Sequence, residues 1–182
     1  MAFSLSTFQS ALASGGARPS LFDLTVTGTP AGVSTTTLGS IKYFCTVSAL
    51  PPLTVTPIER FYFGRTVKIP GDMVFGDLST SIIQTEGGKE RSELETWMNE
   101  INKTTENTMH ANHVTSNGFT GTVSLNQYGK DSEKGAIHTI EFVDAWPSSI
   151  GPIALSYDTA SEIAQYDVTW TYNYYRFTIP AK

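Results

Sequence analysis

The 182-residue sequence predicts a mainly-β α+β fold: a two-sheet antiparallel β-sandwich or barrel-like body with one main α-helix, residues 1–182 forming a single domain. Three observations lead there. Charged residues make up only 16%, against about 25% in a typical soluble domain, and Ser and Thr fill the gap as one-faced strands require. Several stretches alternate apolar and polar residues with a period of two. One stretch alone, Lys89 to Lys103, carries a strong helical period. A chain this long buries roughly two-thirds of its unfolded surface, enough for a core without cross-links. The lone Cys45 permits no intramolecular disulfide, and its flanks Phe44 and Val47 point to a buried thiol.

Element by element, Ser4 to Ala13 spaces Leu5, Phe8, Ala11 and Leu12 as a short amphipathic helix. Ser14-Gly15-Gly16 ends it, within an N-terminal arm of residues 1–20. Leu21 to Thr27 reads as a strand bounded by Pro19 and by Gly28-Thr29-Pro30. Residues 28–40, rich in Gly, Thr and Ser, read as a flexible loop. Ile41 to Leu50 reads as a strand stopped by Pro51-Pro52. Ile58 to Ile69 alternates, with Phe61, Phe63, Arg65, Val67 and Ile69 on one face. Pro70-Gly71-Asp72 then turns the chain into a strand near Phe75 to Gln84, a hairpin signal.

The helix at 89–103 places Leu94, Trp97, Met98 and Ile101 at i, i+3, i+4 and i+7, a single core-facing stripe. Glu90, Glu93, Glu95 and Glu100 read as its wet outer face. Thr104 to Asn117 reads as a polar loop. Phe119, Gly121, Val123 and Leu125 then alternate with Thr120, Thr122, Ser124 and Asn126, a half-buried strand. Gly129 to Gly135 turns the chain into Ala136 to Asp144. In the last strand Ala164, Tyr166, Val168, Trp170, Tyr172 and Tyr174 share one face.

Seventeen acids against twelve bases, a net charge of −5, disfavour a grip on a phosphate backbone. No run of 18 apolar residues predicts a membrane span. The first residues lack the basic and apolar regions of a secretion signal, so synthesis and retention in a reducing cytoplasm are expected. Catalytic chemistry is not legible. His110 and His113 form an HxxH pair without a third ligand, and read as surface histidines. His138 sits in a strand pattern, and Gly15-Gly16 and Gly87-Gly88 form no phosphate loop. Neither a metal, a cofactor nor a catalytic residue is predicted. Arg60-Phe61-Tyr62-Phe63-Gly64-Arg65 interleaves bases with aromatics, a pattern able to stack on single-stranded bases or to form a one-faced strand. Residues 1–57 contain only Arg18, Asp23 and Lys42 as charged side chains, either a neutral solvated region or a surface covered in an assembly.

Four segments in chain order resemble the tail tube proteins of contractile-tailed bacteriophages. They are Arg18-Pro19-Ser20-Leu21-Phe22-Asp23-Leu24, Ile69-Pro70-Gly71-Asp72 followed by Phe75, Glu95 to Asn102 with its Trp97-Met98-Asn99 core, and Tyr166 to Tyr174. The resemblance implies a phage tail tube fold and hexameric rings that stack into a hollow conduit, through which DNA reaches the host at ejection. It implies Thr120, Thr122, Ser124, Asn126, Thr139 and Glu141 as lumen-facing positions, though ordinary solvent-facing residues would look the same. It implies Phe3, Leu5 and Phe8, with the 28–40 loop, as ring contacts. The implied partners are further copies of the chain, the tail sheath protein and baseplate proteins, with tape measure protein and DNA passing through unbound and no membrane contact. The implied location is the virion tail, after assembly in the host cytoplasm. A baseplate tube initiator and a type VI secretion-like tube subunit share the fold. A carbohydrate-binding sandwich is the reading from a different class, and it requires the Tyr166–Tyr174 aromatic face to be exposed.

Overall fold

In β8 (Gly121–Tyr128), Gly121, Val123 and Leu125 turn inward and are buried, while Thr122, Ser124 and Asn126 form the opposite, half-buried face. The same two-residue period organises β1 (Phe22–Thr27), which pairs antiparallel with β8 along its whole length and buries Leu24 and Val26. The computed structural model describes residues 4–11, 16–109, 118–130, 135–159 and 161–179. Phe3, Leu12, His110 and His113 lie outside them.

Two antiparallel sheets form the body, joined by the long strand β9 (Ala136–Ile150). Its first part pairs with β8 on one side and with β11 (Tyr174–Thr178) on the other. Its last part, from Trp146 to Ile150, pairs with β10 (Gln165–Thr171). Beyond β10 come β5 (Leu78–Ile83) and β2 (Cys45–Ser48). The change of sheet falls at Asp144, which holds a left-handed φ of 55° and accepts a 2.9 Å hydrogen bond from Asn173 Nδ2. Asn173 interrupts the closing strand at the matching point, so β10 and β11 follow β9 from one sheet into the other. The long final strand expected from Ala164 to Tyr174 is therefore broken, and Tyr174 lies exposed in β11.

The helix α4 (Lys89–Ile101) closes the core. Leu94 and Trp97 are fully buried, Ile101 packs against the core partly buried, and Met98 is half-buried. The Trp97 ring meets Trp170 of β10 edge-to-face at 5.9 Å, and its Nε1 donates to the Phe119 carbonyl at 2.7 Å. Trp170 Nε1 donates to Thr80 Oγ1 at 3.0 Å. Both indoles thus sit in the interior with their polar atoms satisfied, as burial demands.

Residues 28–40 are not a structureless loop. Ser34 caps α2 (Thr35–Leu38) by accepting from the Thr37 amide, and Leu38 is fully buried. The next residues, expected to be strand, form α3 (Ile41–Phe44) before β2 begins, with Ile41 also fully buried. The Gly-, Thr- and Ser-rich composition hid two apolar anchors that tie this segment to the core. Glu90 and Glu93 of α4 hold it too. Glu93 accepts from the Ser34 amide at 3.0 Å, and Glu90 accepts from the Ser40 and Thr85 hydroxyls at 2.9 and 2.7 Å. Glu90 is therefore buried, not part of a wet outer face. Cys45 is half-buried, and burial pushes its thiol up to about 11.

The hairpin also differs from expectation. It is β3 (Leu53–Tyr62) and β4 (Arg65–Phe75), turning at Phe63-Gly64 with φ of 44° and 79°. Two positive φ values in a two-residue loop match the right-handed twist of the strands. Pro70 does not turn the chain; it faces Pro57 across the ladder at a bulge, where neither residue can donate a hydrogen bond. Phe61, Phe63, Arg65 and Val67 consequently do not share one strand face. Asn102–Lys103 and Thr108–Met109 (β6 and β7) form a two-residue ladder after α4, so the helix ends at Ile101.

Two stability predictions follow from these contacts. A Cβ on Gly121 would stand 2.8 Å from the Trp97 ring and 3.1 Å from the Thr27 carbonyl oxygen. Gly121→Ala should destabilise by about 1–3 kcal/mol through overpacking; an unchanged urea midpoint would refute the close approach. Burial alone would raise the Glu90 carboxyl, but hydrogen bonds from Thr85, its own amide and Ser40, with the Lys89 charge, hold it below its ordinary value of 4.5. The stability this supplies is present above an unfolded-state pKa of about 4.3 and is lost as pH falls through the lower folded value. Glu90→Gln should unfold at less urea than the native chain at neutral pH, and the gap should close on acidification. A gap independent of pH would show that ionised Glu90 contributes nothing.

Candidate functional site

The outer face of the first sheet is the most organised polar surface among the described residues. Register places Asp23, Thr25 and Thr27 of β1 beside Asn126, Ser124 and Thr122 of β8. It sets Ser124 across from Glu141 and Asn126 across from Thr139 on β9. On the far side, Arg176 lies opposite Glu141 and Thr178 opposite Thr139. Five of the six positions expected on a lumen face, Thr122, Ser124, Asn126, Thr139 and Glu141, thus share this face. Thr120 does not. It precedes β8 and is only 6% exposed, because the chain enters the strand from beneath α4, where Phe119 accepts the Trp97 hydrogen bond.

Asn126 is the centre of the face. Its Nδ2 donates to Asp23 Oδ1 at 2.8 Å, and its Oδ1 accepts from Thr139 Oγ1 at 3.0 Å. One amide thereby bridges three adjacent strands. Tyr128 donates its hydroxyl to the other Asp23 oxygen at 2.8 Å. Burial, then the hydrogen bond to Asp23 and the Asp23 charge, push the Tyr128 phenol up from 10.0. Both Asp23 oxygens are engaged inside the face, which leaves a surface of hydroxyls and amides between scattered charges. Asp23, Thr25 and Thr27 were readable from the alternation in Phe22–Thr27, whereas Arg176 was hidden by the unexpected break at Asn173.

Three other groups of sequence candidates lie off this face. Leu5 and Phe8 project from the short helix α1 (Leu5–Ala11) and are 67% and 53% exposed. Tyr166, Trp170 and Tyr172 are buried, so the aromatic strand offers no sugar platform. His138 lies 5.1 Å from the Phe177 ring, packed in the sheet. Among the described residues, no cluster of three His, Cys, Asp or Glu is placed to hold a metal, and no helix is long and apolar enough to cross a membrane.

Residues 17–178 match the family model described as phage tail tube protein. The chain belongs to that family. It is 24% identical over 163 residues to tail tube protein gp19 of Enterobacteria phage T4, covering 87% of this chain and 90% of the relative. Its identity to the gp19 of Enterobacteria phage T6 is 23% with the same coverage. Its fold is similar to a chain in the cryo-EM structure of the sheath–tube complex of PVC, an extracellular contractile injection system, in the extended state. That match has a TM-score of 0.65 and 16% identity, covering 98% of this chain and 100% of the other. The two-sheet body with one main helix is thus the fold of a tail tube subunit, and the curated relatives are structural proteins.

The Asp23 contacts can be tested directly. Asp23→Ala should lower the Tyr128 phenol toward 10.0, because an acceptor and a negative charge are both removed. A ring-labelled tyrosine titration by NMR, with Tyr128→Phe assigning the signal, would read the shift; an unmoved resonance would exclude the contact.

Proposed function

We propose that six copies of this tail tube subunit close into a ring, that rings stack into the inner conduit of a phage tail, and that DNA passes through the lumen at ejection. The observation that carries this reading is the outer face of the first sheet. It is continuous, polar, cross-linked over three strands by the Asn126 bridge, and nearly balanced in charge, with Asp23, Glu141 and Arg176 as its charged residues. A polyanion moving along such a face meets no cluster of cations on which to release counterions and bind. We place Thr122, Ser124, Asn126, Thr139 and Glu141 on the lumen, joined by Asp23 and Thr25.

Unsatisfied apolar surface supports assembly. Every residue from Leu53 to Pro70 is exposed, Val55, Ile58, Phe61 and Ile69 included. A monomeric soluble protein rarely presents so much contiguous apolar surface. Ring closure would also pair strands β1 and β11, which lie at the two edges of the first sheet. Leu5 and Phe8 of α1, with Phe3 before it, are the proposed contacts of the N-terminal arm. The tail sheath protein packs outside the ring, a baseplate seeds it, and tape measure protein occupies the lumen before DNA. The site of action is the virion tail, assembled in the host cytoplasm.

Negative-stain microscopy of concentrated protein, with and without a purified baseplate, should show hollow tubes or six-fold rings; monomers in both samples would refute the reading. Changing Thr122 and Ser124 together to Lys, which leaves the Asn126 bridge in place, should slow DNA ejection several-fold while tubes still form. Ejection at the native rate from such virions would remove these positions from the lumen.

A further inference from the structure

The hairpin turn joins two features that the conduit face does not use. Phe61, Tyr62 and Phe63 are 83%, 65% and 91% exposed at the tip, and the Tyr62 and Phe63 rings meet edge-to-face at 4.7 Å. Arg60 and Arg65 flank them, while Glu59, the nearest acid, is already paired with Lys68 at 3.3 Å. The tip is therefore an aromatic wedge with a positive collar.

A complementary surface lies on the second sheet. Residues 154–157 and 162–165, from the connection between β9 and β10 and the start of β10, enclose with Ile83 of β5 an open groove of about 1000 Å³. Its walls are Ile83, Leu155, Tyr157, Ile163 and Ala164, with Glu162 at the lining. Leu155 and Tyr157 are almost completely exposed. Asp158 and Glu162 are the only charged residues in the connection, residues 151–164, so it carries no base.

We propose that the Arg60–Arg65 tip of one copy seats in the 151–164 groove of a second copy. The inference rests on self-assembly of the chain and names the surfaces that make one of its contacts. Both surfaces stand open in the same chain, so neither fills the other within a single copy. Their chemistry matches: three aromatic rings against Leu, Ile and Tyr walls, and two arginines against Asp158 and Glu162. Three buried aromatics remove roughly 450–750 Å² from water, comparable with about 800 Å² per partner in a standard interface. Base stacking, the other use of such a tip, requires a basic groove to track the backbone, and residues 59–67 supply only two bases, Arg60 and Arg65.

The test uses full-length chains with Cys45→Ala. Phe63→Cys is placed in one preparation and Leu155→Cys in another; the two are mixed under tube-forming conditions and oxidised. The expected result is a disulfide dimer joining the two different variants, far exceeding either homodimer. In a second arm, Arg60→Glu with Arg65→Glu should reduce tube yield at least tenfold, and adding Asp158→Arg with Glu162→Arg should restore it. Tubes that form without the mixed disulfide and without charge rescue would overturn the groove contact while leaving the tube reading intact. Failure of the native chain to form tubes even on a baseplate would overturn both. Loss of single-stranded oligonucleotide binding in Phe61→Ala with Phe63→Ala, without a mixed disulfide, would reassign the tip to base stacking and overturn the contact.

Discussion

The position of the Trp97 indole governs the architecture. It joins α4 to both sheets at once, meeting Trp170 of β10 on one side, lying close over Gly121 of β8 on another, and donating its proton to the backbone at Phe119. Two sheets that share only β9 could otherwise open like a book along Asp144. A large, fully buried ring with one directional hydrogen bond fixes their separation and relative position. From α4 the constraint passes outward through Glu90 and Glu93 to Ser40 and Ser34, which seat α2 and α3 over Leu38 and Ile41. The short helices thus acquire from tertiary contacts an order that four residues of helix cannot supply alone.

The molecule divides its polarity sharply between surfaces. The outer face of the first sheet spends its hydrogen-bonding capacity internally, through Asn126, Asp23, Thr139 and Tyr128. The β3–β4 hairpin and the 151–164 segment do the reverse, leaving apolar side chains in water. A satisfied polar face has little drive to associate, because every new hydrogen bond there must displace an existing one. Exposed Phe, Tyr, Leu and Ile gain free energy by leaving water at about 25 cal/mol per Å². The proposed assembly through the second set of surfaces would leave the first set free.

Much of this was legible in the sequence, and the failures have identifiable causes. The alternation in β8 and β9 placed five of the six lumen candidates on one face of the sheet, because a period of two places side chains on opposite faces without further information. Thr120 failed because the rule was extended one residue past the strand, to where the chain dives beneath α4. The hairpin turn was misplaced because Pro70-Gly71-Asp72 has stronger turn composition than Phe63-Gly64, although Phe63 takes the positive φ. Pro70 is instead tolerated within a strand because Pro57 faces it. Glu90 was misread for a related reason: helical spacing identifies an outer face but not the hydroxyls of Ser40 and Thr85 brought against it. Arg176 and the break at Asn173 depend on the bend of β9 at Asp144, a tertiary feature without a local sequence signal.

The proposed conduit role would account for a face built from bridged amides and hydroxyls and not from plain charge. A strongly acidic lumen would repel DNA, yet in a closed ring the same acids would stand near their symmetry copies, and like charges at close range oppose assembly. A basic lumen would hold the phosphates. Asp23 escapes the first difficulty because Asn126 and Tyr128 both donate to it, dispersing its charge over donors within its own subunit. Glu141 has Arg176 opposite it on the neighbouring strand, so a base of the same subunit stands next to that acid in the register. A lumen composed of such faces repels neither its own ring nor grips the passing strand, and that compromise requires the fixed register of β1, β8, β9 and β11.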